Sequence, residues 1–362
     1  MAGEPEATVI SLHAHPARTA AERRVQQRAD DVRGHPSTLA RPIPTRSTRQ
    51  HGGAPGDEIA AIVGTIDPRA GHAKAGEAGE GLNGLAQRVA AVAEFLRQRI
   101  TGDYTVDEFG FDQQFSDAIV MPLLRTFFKY WFRVDVNGVE NLPQTGAALV
   151  VVNHAGVLPF DGLMASVAVH DKHPAHRALR LLAADMVFDN PLLGQAARKA
   201  GHTMACMADA HQLLSQGELT AVFPEGYKGL GKRFGDRYKV QRFGRGGFVS
   251  VALRTKVPIV PCSIVGSEEI YPKIGELKLL ARLLGLPYFP ITPLFPLAGP
   301  AGLIPLPSKW YMEFGAPIPT AEFDDTAAED PMVILELADH VRETIQSGLY
   351  RLMMKRRNIF LG

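Results

Sequence analysis

Five short apolar runs, separated by helical patterns, constrain this chain more than any other feature. Residues 147–152 read Ala-Ala-Leu-Val-Val-Val, and similar runs recur at 181–184, 219–223, 259–265 and 310–314. Helical stretches at 162–169, 192–200, 209–215 and 247–254 lie between them. A strand that is apolar at almost every position has both faces to bury, and helices on either side are the usual cover. The expected class is α/β, with a mixed, largely parallel sheet flanked by helices. A long amphipathic helix over 331–354 follows, with Ile334, Leu337, Val341, Ile345 and Leu349 on one side. No internal repeat is visible.

Ahead of the sheet the pattern is different. Residues 1–81 are rich in Ala, Arg, Gly, Pro, His and Thr and nearly lack aromatic or large aliphatic clusters. Such a segment buries too little apolar surface to offset the entropy of ordering, so a disordered tail is expected. Helical spacing begins with Leu85, Val89, Val92, Leu96 and Ile100, and a second helix is expected over 116–132. That helix carries Phe127, Phe128, Trp131 and Phe132 beside Arg125 and Lys129. The mixture suits a helix lying in a membrane interface, or one packed on its own core. The expected division is therefore a tail (1–81), N-terminal helices that are candidates for a membrane interface (82–133), a core (134–330) and a C-terminal helix packed on it (331–362).

Composition excludes little. The 362 residues carry a formal charge of +1, which argues for no nucleic-acid partner. Cys206 and Cys262 lie in separate apolar segments without metal-type spacing, as expected of buried free thiols in a reducing compartment. Early charges and prolines interrupt any secretory h-region, and no run is long and apolar enough to span a bilayer. His170, His173 and His176 cluster in a polar connection, but convergent ligand geometry is needed for zinc, and no metal is expected.

The chemistry concentrates after two of the runs. The first leads into Asn153-His154-Ala155-Gly156-Val157-Leu158-Pro159-Phe160-Asp161. In open α/β sheets, ligands gather beyond the carboxyl ends of the strands. There, a carboxylate that accepts from one ring nitrogen of a histidine leaves the other free to take a substrate proton. A continuous helix would separate His154 and Asp161 by about 10 Å along its axis. Gly156 and Pro159 make a bent loop the better expectation, and the bend decides whether the two groups meet. Otherwise Asp161 is a helix N-cap and His154 a turn residue.

The second site follows the run at 219–223. Gly226 to Lys232 fits the spacing G-x-x-x-x-G-K of a phosphate loop, but Arg233 stands where such a loop needs Ser or Thr for magnesium. Glu225 would also repel the anion. Read as Phe223-Pro224-Glu225-Gly226, the segment offers a carboxylate on the same rim as His154. That carboxylate can bind a polyol or position a loop through backbone amides. Lys228, Lys232, Arg233, Arg237, Lys239, Arg242 and Arg245 then suit a phosphate or anionic headgroup. A glycine nest with Gly244, Gly246 and Gly247 beside Arg245 is a second candidate anion site.

Asn-His with a downstream Asp, then Phe-Pro-Glu-Gly, then Val257-Pro258-Ile259-Val260-Pro261, resembles the glycerolipid acyltransferase family of the bacterial lysophosphatidate acyltransferase type. The chain is similar to its actinobacterial and mycobacterial members, from about residue 134 to 314. The resemblance implies His154 as general base, Asp161 as its partner, and Phe223, Pro224, Glu225, Gly226 and Lys228 at the acceptor. It implies an acyl-CoA or acyl carrier protein as donor substrate, no cofactor, a lipid acceptor and a cytoplasmic protein attached peripherally to the inner face of the membrane. Two features depart from the family pattern. Six residues separate His154 from Asp161 where the family commonly has four, and residues 201–209 hold no arginine. The longer loop resembles the branch that forms diacylglycerol-derived and phytyl esters, which leaves a neutral alcohol acceptor open beside lysophosphatidate. A lipid-binding scaffold that keeps the fold without catalysis is the alternative.

One segment fits neither helix nor buried strand. Residues 283–307 hold no charged residue and seven prolines. The segment either covers the core or meets a bilayer or an acyl chain.

Overall fold

The computed structural model describes residues 104–244 and 246–361, together with Arg97, Arg99, Thr101 and Gly102. The expected tail, nearly all of the first N-terminal helix and Arg245 lie outside the described residues.

The apolar runs form the sheet. Its strands are β1 (Asp135–Asn137), β2 (Ala148–Val152), β3 (Leu179–Ala183), β4 (Thr203–Met204), β5 (Leu219–Val222), β6 (Ile259–Val265) and β9 (Tyr311–Phe314). Their spatial order is β1-β9-β6-β2-β5-β3-β4. All neighbours run parallel except β6 and β9, which are antiparallel from Cys262↔Phe314 to Val265↔Tyr311. A separate two-stranded ribbon joins β7 (Gly275–Glu276) to β8 (Pro290–Ile291).

Strand alternation divides the core in two. Ala148, Val150 and Val152 of β2 join one buried cluster, while Leu149 and Val151 join another. The first cluster receives a long helix, α1, that runs through Gln113–Phe115, Ser116–Val120, Met121–Thr126 and Phe127–Trp131, and also α2 (Phe160–Lys172). The second receives α5 (Met207–Ser215), α7 (Gly247–Thr255) and the terminal α9 (Pro331–Lys355). Three shorter helices, α3 (Asp185–Asp189), α4 (Pro191–Lys199) and α6 (Gly226–Leu230), precede or sit between these, and α8 (Lys278–Leu283) lies between β7 and β8. The sheet is thus covered on both faces, as near-continuous apolar strands require.

α1 is not a plain α-helix. Pro122 has no N–H to offer four residues back, and the turn ahead of it, Ser116–Val120, is π-wound. Met121, Leu124 and Phe128 are buried in the first cluster. The Arg125 guanidinium pairs with Asp171 of α2 at 2.7 Å. This face of the helix packs on the core, one of the two alternatives left by its sequence, while Leu123 and Tyr130 on the other side are 62% and 72% exposed.

Element edges move by one to three residues from the sequence expectation. α2 starts at Phe160, two residues earlier than expected, and so carries Asp161 in its first turn rather than at its cap. The cysteines also need correcting: Cys262 is buried, but Cys206 is exposed and accepts from the Asp209 amide at the start of α5. The histidines weighed for zinc are held separately. His170 lies between Asp117 and Asp171, the His173 ring meets Leu142 O, and the His176 ring meets His170 O.

Strand register sets up the site. β2 and β5 pair in parallel through Val151↔Val222. The residues that leave their carboxyl ends, Asn153-His154 and Phe223-Pro224-Glu225, therefore emerge side by side.

Candidate active site

The exit from β2 is fixed before the histidine is reached. The Asn153 side chain is buried and makes two bonds to Ile264 of β6: its Nδ2 donates to the carbonyl at 3.0 Å, and its Oδ1 accepts from the amide at 2.8 Å. His154 comes next, and the chain then turns back on itself. Gly156 has φ 98°, and Val157 has φ 63°, a left-handed conformation that disfavours a β-branched residue. A Cβ at Gly156 would lie 2.5 Å from Ser267 O, so only glycine fits. Strain of this kind costs about 1–3 kcal/mol and persists where the surroundings enforce it. Here the Val157 amide donates to Leu230 O at 3.0 Å, and the Tyr288 hydroxyl donates to Val157 O.

The bend closes the gap that a straight helix would have left open. Asp161, seven positions on, brings Oδ2 to 2.7 Å from His154 Nδ1. The same oxygen accepts from the Ala155 amide at 3.0 Å, and Oδ1 accepts from Gly162 N at 2.8 Å. Asp161 is fully buried, while the His154 side chain keeps 11% of its surface exposed. An ionised carboxylate can only accept, so the proton between the pair sits on Nδ1. In the neutral ring, Nε2 then carries a free lone pair. The Phe223 ring packs 4.6 Å from the imidazole, tilted by 38°, and limits its rotation.

Glu225 acts from below. Its Oε1 accepts from the His154 amide at 2.7 Å. Its Oε2 accepts from the Gln241 amide at 2.6 Å and from Lys232 Nζ at 3.3 Å. Of the two roles its position allowed, polyol binding or loop positioning, the buried carboxylate is committed to the second. Lys232, the lysine of the false phosphate loop, turns inward to neutralise it. Gly229 lets these groups meet: a Cβ there would lie 2.5 Å from Glu225 Cβ and 2.7 Å from His154 O. Asn153, Gly229, Lys232 and Gln241 were not assigned these roles from the sequence. Only the lysine was singled out there for chemistry, as the last residue of the G-x-x-x-x-G-K spacing and a candidate anion contact.

The basic stretch divides. Lys228, Lys239 and Arg242 are exposed, whereas Lys232, Arg237 and the exposed Arg233, with Lys273 from farther along the chain, border a cavity of about 10 Å³ that Gly156 and Val157 also line. That is room for about one water molecule, not a phosphate. Burial pushes the Glu268 carboxyl on the cavity wall up to about 7, an effect opposed by the nearby Lys232 ammonium and reinforced by Glu269. Pro224 is half-buried, and Gly226 is exposed at the start of α6. Gly246 starts α7 in a left-handed conformation and packs against Ile334 of α9, where a Cβ would lie 2.4 Å from Ile334 Cγ2.

The site holds an imidazole with one nitrogen bound to a buried carboxylate and the other open, on the carboxyl rim of a largely parallel sheet, an arrangement that can accept a proton from a bound hydroxyl. Comparison with known proteins leads to the same class. The Acyltransferase family model matches residues 133–265, which contain both motifs. A protein of Mycobacterium tuberculosis described as uncharacterized is 68% identical, covering 100% of this chain and 99% of its own. A human protein described as a DGAT1/2-independent enzyme synthesizing storage lipids is 27% identical over 60% of this chain and 61% of its own. The crystal structure of the 1-acyl-sn-glycerophosphate acyltransferase PlsC from Thermotoga maritima aligns with a TM-score of 0.44 at 21% identity, over 66% of this chain and 82% of that one. Residues 133–265 thus form an Acyltransferase-family domain, the domain of enzymes that transfer acyl groups.

Proposed function

We propose that this enzyme moves a fatty acyl group from an acyl thioester to the hydroxyl of a lipid alcohol, with His154 as general base and Asp161 as its orienter. The observation that carries the proposal is the 2.7 Å contact between His154 Nδ1 and the buried Asp161 carboxylate. A lipid-binding scaffold has no need of that contact, and the lengthened loop does not prevent it.

The chemistry balances with the groups of this site and a coenzyme A or carrier-protein thioester. His154 Nε2 removes the hydroxyl proton as the oxygen attacks the thioester carbonyl carbon. The new C–O bond forms and a tetrahedral intermediate carries the charge on the carbonyl oxygen. Collapse breaks the C–S bond, and the departing thiolate takes the proton back from the imidazolium. Asp161 stabilises that imidazolium while it lasts. Glu225, through the His154 amide, holds the base at the rim.

The acceptor is a glycerolipid or a related lipid alcohol met at the inner face of the membrane. The storage-lipid description of the human relative supports a neutral alcohol, and the exposed Lys228, Arg233 and Arg242 support a phosphate-bearing one. Incubating purified enzyme with labelled acyl-CoA and a panel of lysophosphatidate, diacylglycerol and long-chain alcohols decides between them. Label appearing in an ester of one acceptor is the expected result. Label in none of them, with the acyl-CoA intact, contradicts the proposal.

A further inference from the structure

We infer that the excursion between β6 and β9, residues 274–304, is a membrane-docking element that seats the catalytic loop on a bilayer containing anionic lipid. The inference rests on the lipid acyltransferase reading and adds the surface by which the enzyme reaches its substrate.

The segment is a folded unit. The β7–β8 ribbon closes its base, Leu286 N bonds Ala281 O, and Ala298 N bonds Leu294 O. The Phe289 and Phe295 rings pack at 5.3 Å. Yet it keeps its largest aliphatic side chains outside: Leu279, Leu283 and Leu297 are 81%, 79% and 90% exposed. Ile274, Leu284 and Ile304 are also more than half exposed. Isolated exposed leucines are ordinary, but this many in one excursion mark an interaction surface.

Charge identifies the occupant. No acidic residue occurs between Glu276 and Glu313. In α8, Leu279 and Leu283 form one stripe four residues apart, and the exposed Lys278 and Arg282 form the stripe beside it. The one acid of the excursion, Glu276, is paired with Lys273 at 2.7 Å, and leucines next to the cations of α8 suit an element that lies in the headgroup boundary of an anionic leaflet. A second copy of the chain would need acidic groups opposite Lys278 and Arg282, and the one acid of this excursion, Glu276, is already paired with Lys273.

The element is wired to the catalytic loop. The Tyr288 hydroxyl donates to Val157 O, three residues beyond His154, and the Lys273 ammonium lies 4.8 Å from the Tyr288 ring centre. Lys273 Nζ also bonds Gly231 O at 2.6 Å, next to Lys232. On the other side, Trp131 Nε1 donates to Pro305 O at 2.9 Å, joining the exposed Tyr130 end of α1 to the same surface.

The test is vesicle flotation of the full chain with phosphatidylcholine vesicles, with and without phosphatidylglycerol. Wild type should float with the phosphatidylglycerol vesicles and be partly released by high salt. The triple variant Leu279→Ser, Leu283→Ser, Leu297→Ser should partition at least tenfold less, with unchanged circular dichroism and thermal midpoint. Lys278→Glu with Arg282→Glu should abolish the preference for phosphatidylglycerol. The His154→Ala variant should float like wild type while inactive, so loss of catalysis and loss of docking are read separately. Triple-variant binding equal to wild type overturns the inference, as does a wild-type dimer that the same substitutions convert to monomer.

Discussion

Two apolar regions end on opposite sides of the water boundary. Every residue of β6 is buried, whereas the 274–304 excursion exposes Leu279, Leu283 and Leu297 almost completely. Apolar content alone does not explain the difference. β6 has a partner on each side, β2 and β9, so its amides and carbonyls are satisfied within the sheet. Its single proline, Pro261, sits one residue ahead of the first β9 pair at Cys262. The excursion carries prolines at 287, 290, 293, 296 and 300, which deny it the second ladder. Backbone pairing, more than hydropathy, decides which aliphatic side chains are buried in protein and which remain for a lipid.

The contrast yields graded predictions. Short of removing the base itself, the largest effect on turnover should follow Gly229→Ala, because the new methyl collides with both Glu225 and the His154 carbonyl. Displacing the base by a fraction of an ångström to an ångström should lower kcat about 10²-fold, read by steady-state acyl transfer. Ile264→Ala, in fully buried β6, should cost about 2–5 kcal/mol in urea denaturation. The comparison breaks if that loss is absent.

The Glu268 carboxyl supplies a pH signature. Its folded pKa is raised from 4.5 to about 7, chiefly by burial. Between those values the unfolded chain has released the proton and the folded chain has kept it. Stability at this site is therefore fully present below about 4.5 and falls as pH rises through 7. Glu268→Gln should gain stability relative to wild type at pH 8 and little at pH 5, by denaturation at both. The smallest effect belongs to Leu297→Ser, which should change stability by no more than about 0.5 kcal/mol. A larger loss would place that leucine in the core and remove the contrast.

The sequence made the architecture legible because period and composition report the strands directly. Each apolar run from 147 to 314 became a strand, and the parallel order follows from the helices between them. The His154–Asp161 pairing was legible only as a question. Spacing could not show that Gly156 and Val157 both take left-handed backbone, and a valine there gives no local warning. Glu225 was placed on the correct rim, but its bonds to His154 N and Gln241 N depend on strand register and on a turn through Gly229, neither of which composition reveals. The fate of the proline-rich excursion was open because its leucines have the same hydropathy on either side of the boundary.

The most direct test of the account is the rate of acyl transfer to the acceptor identified by labelling, compared between wild type and His154→Ala, with folding checked by thermal unfolding. A loss of about 10²–10⁴-fold with the fold unchanged is predicted. A folded His154→Ala enzyme that transfers acyl groups at near wild-type rate would contradict it.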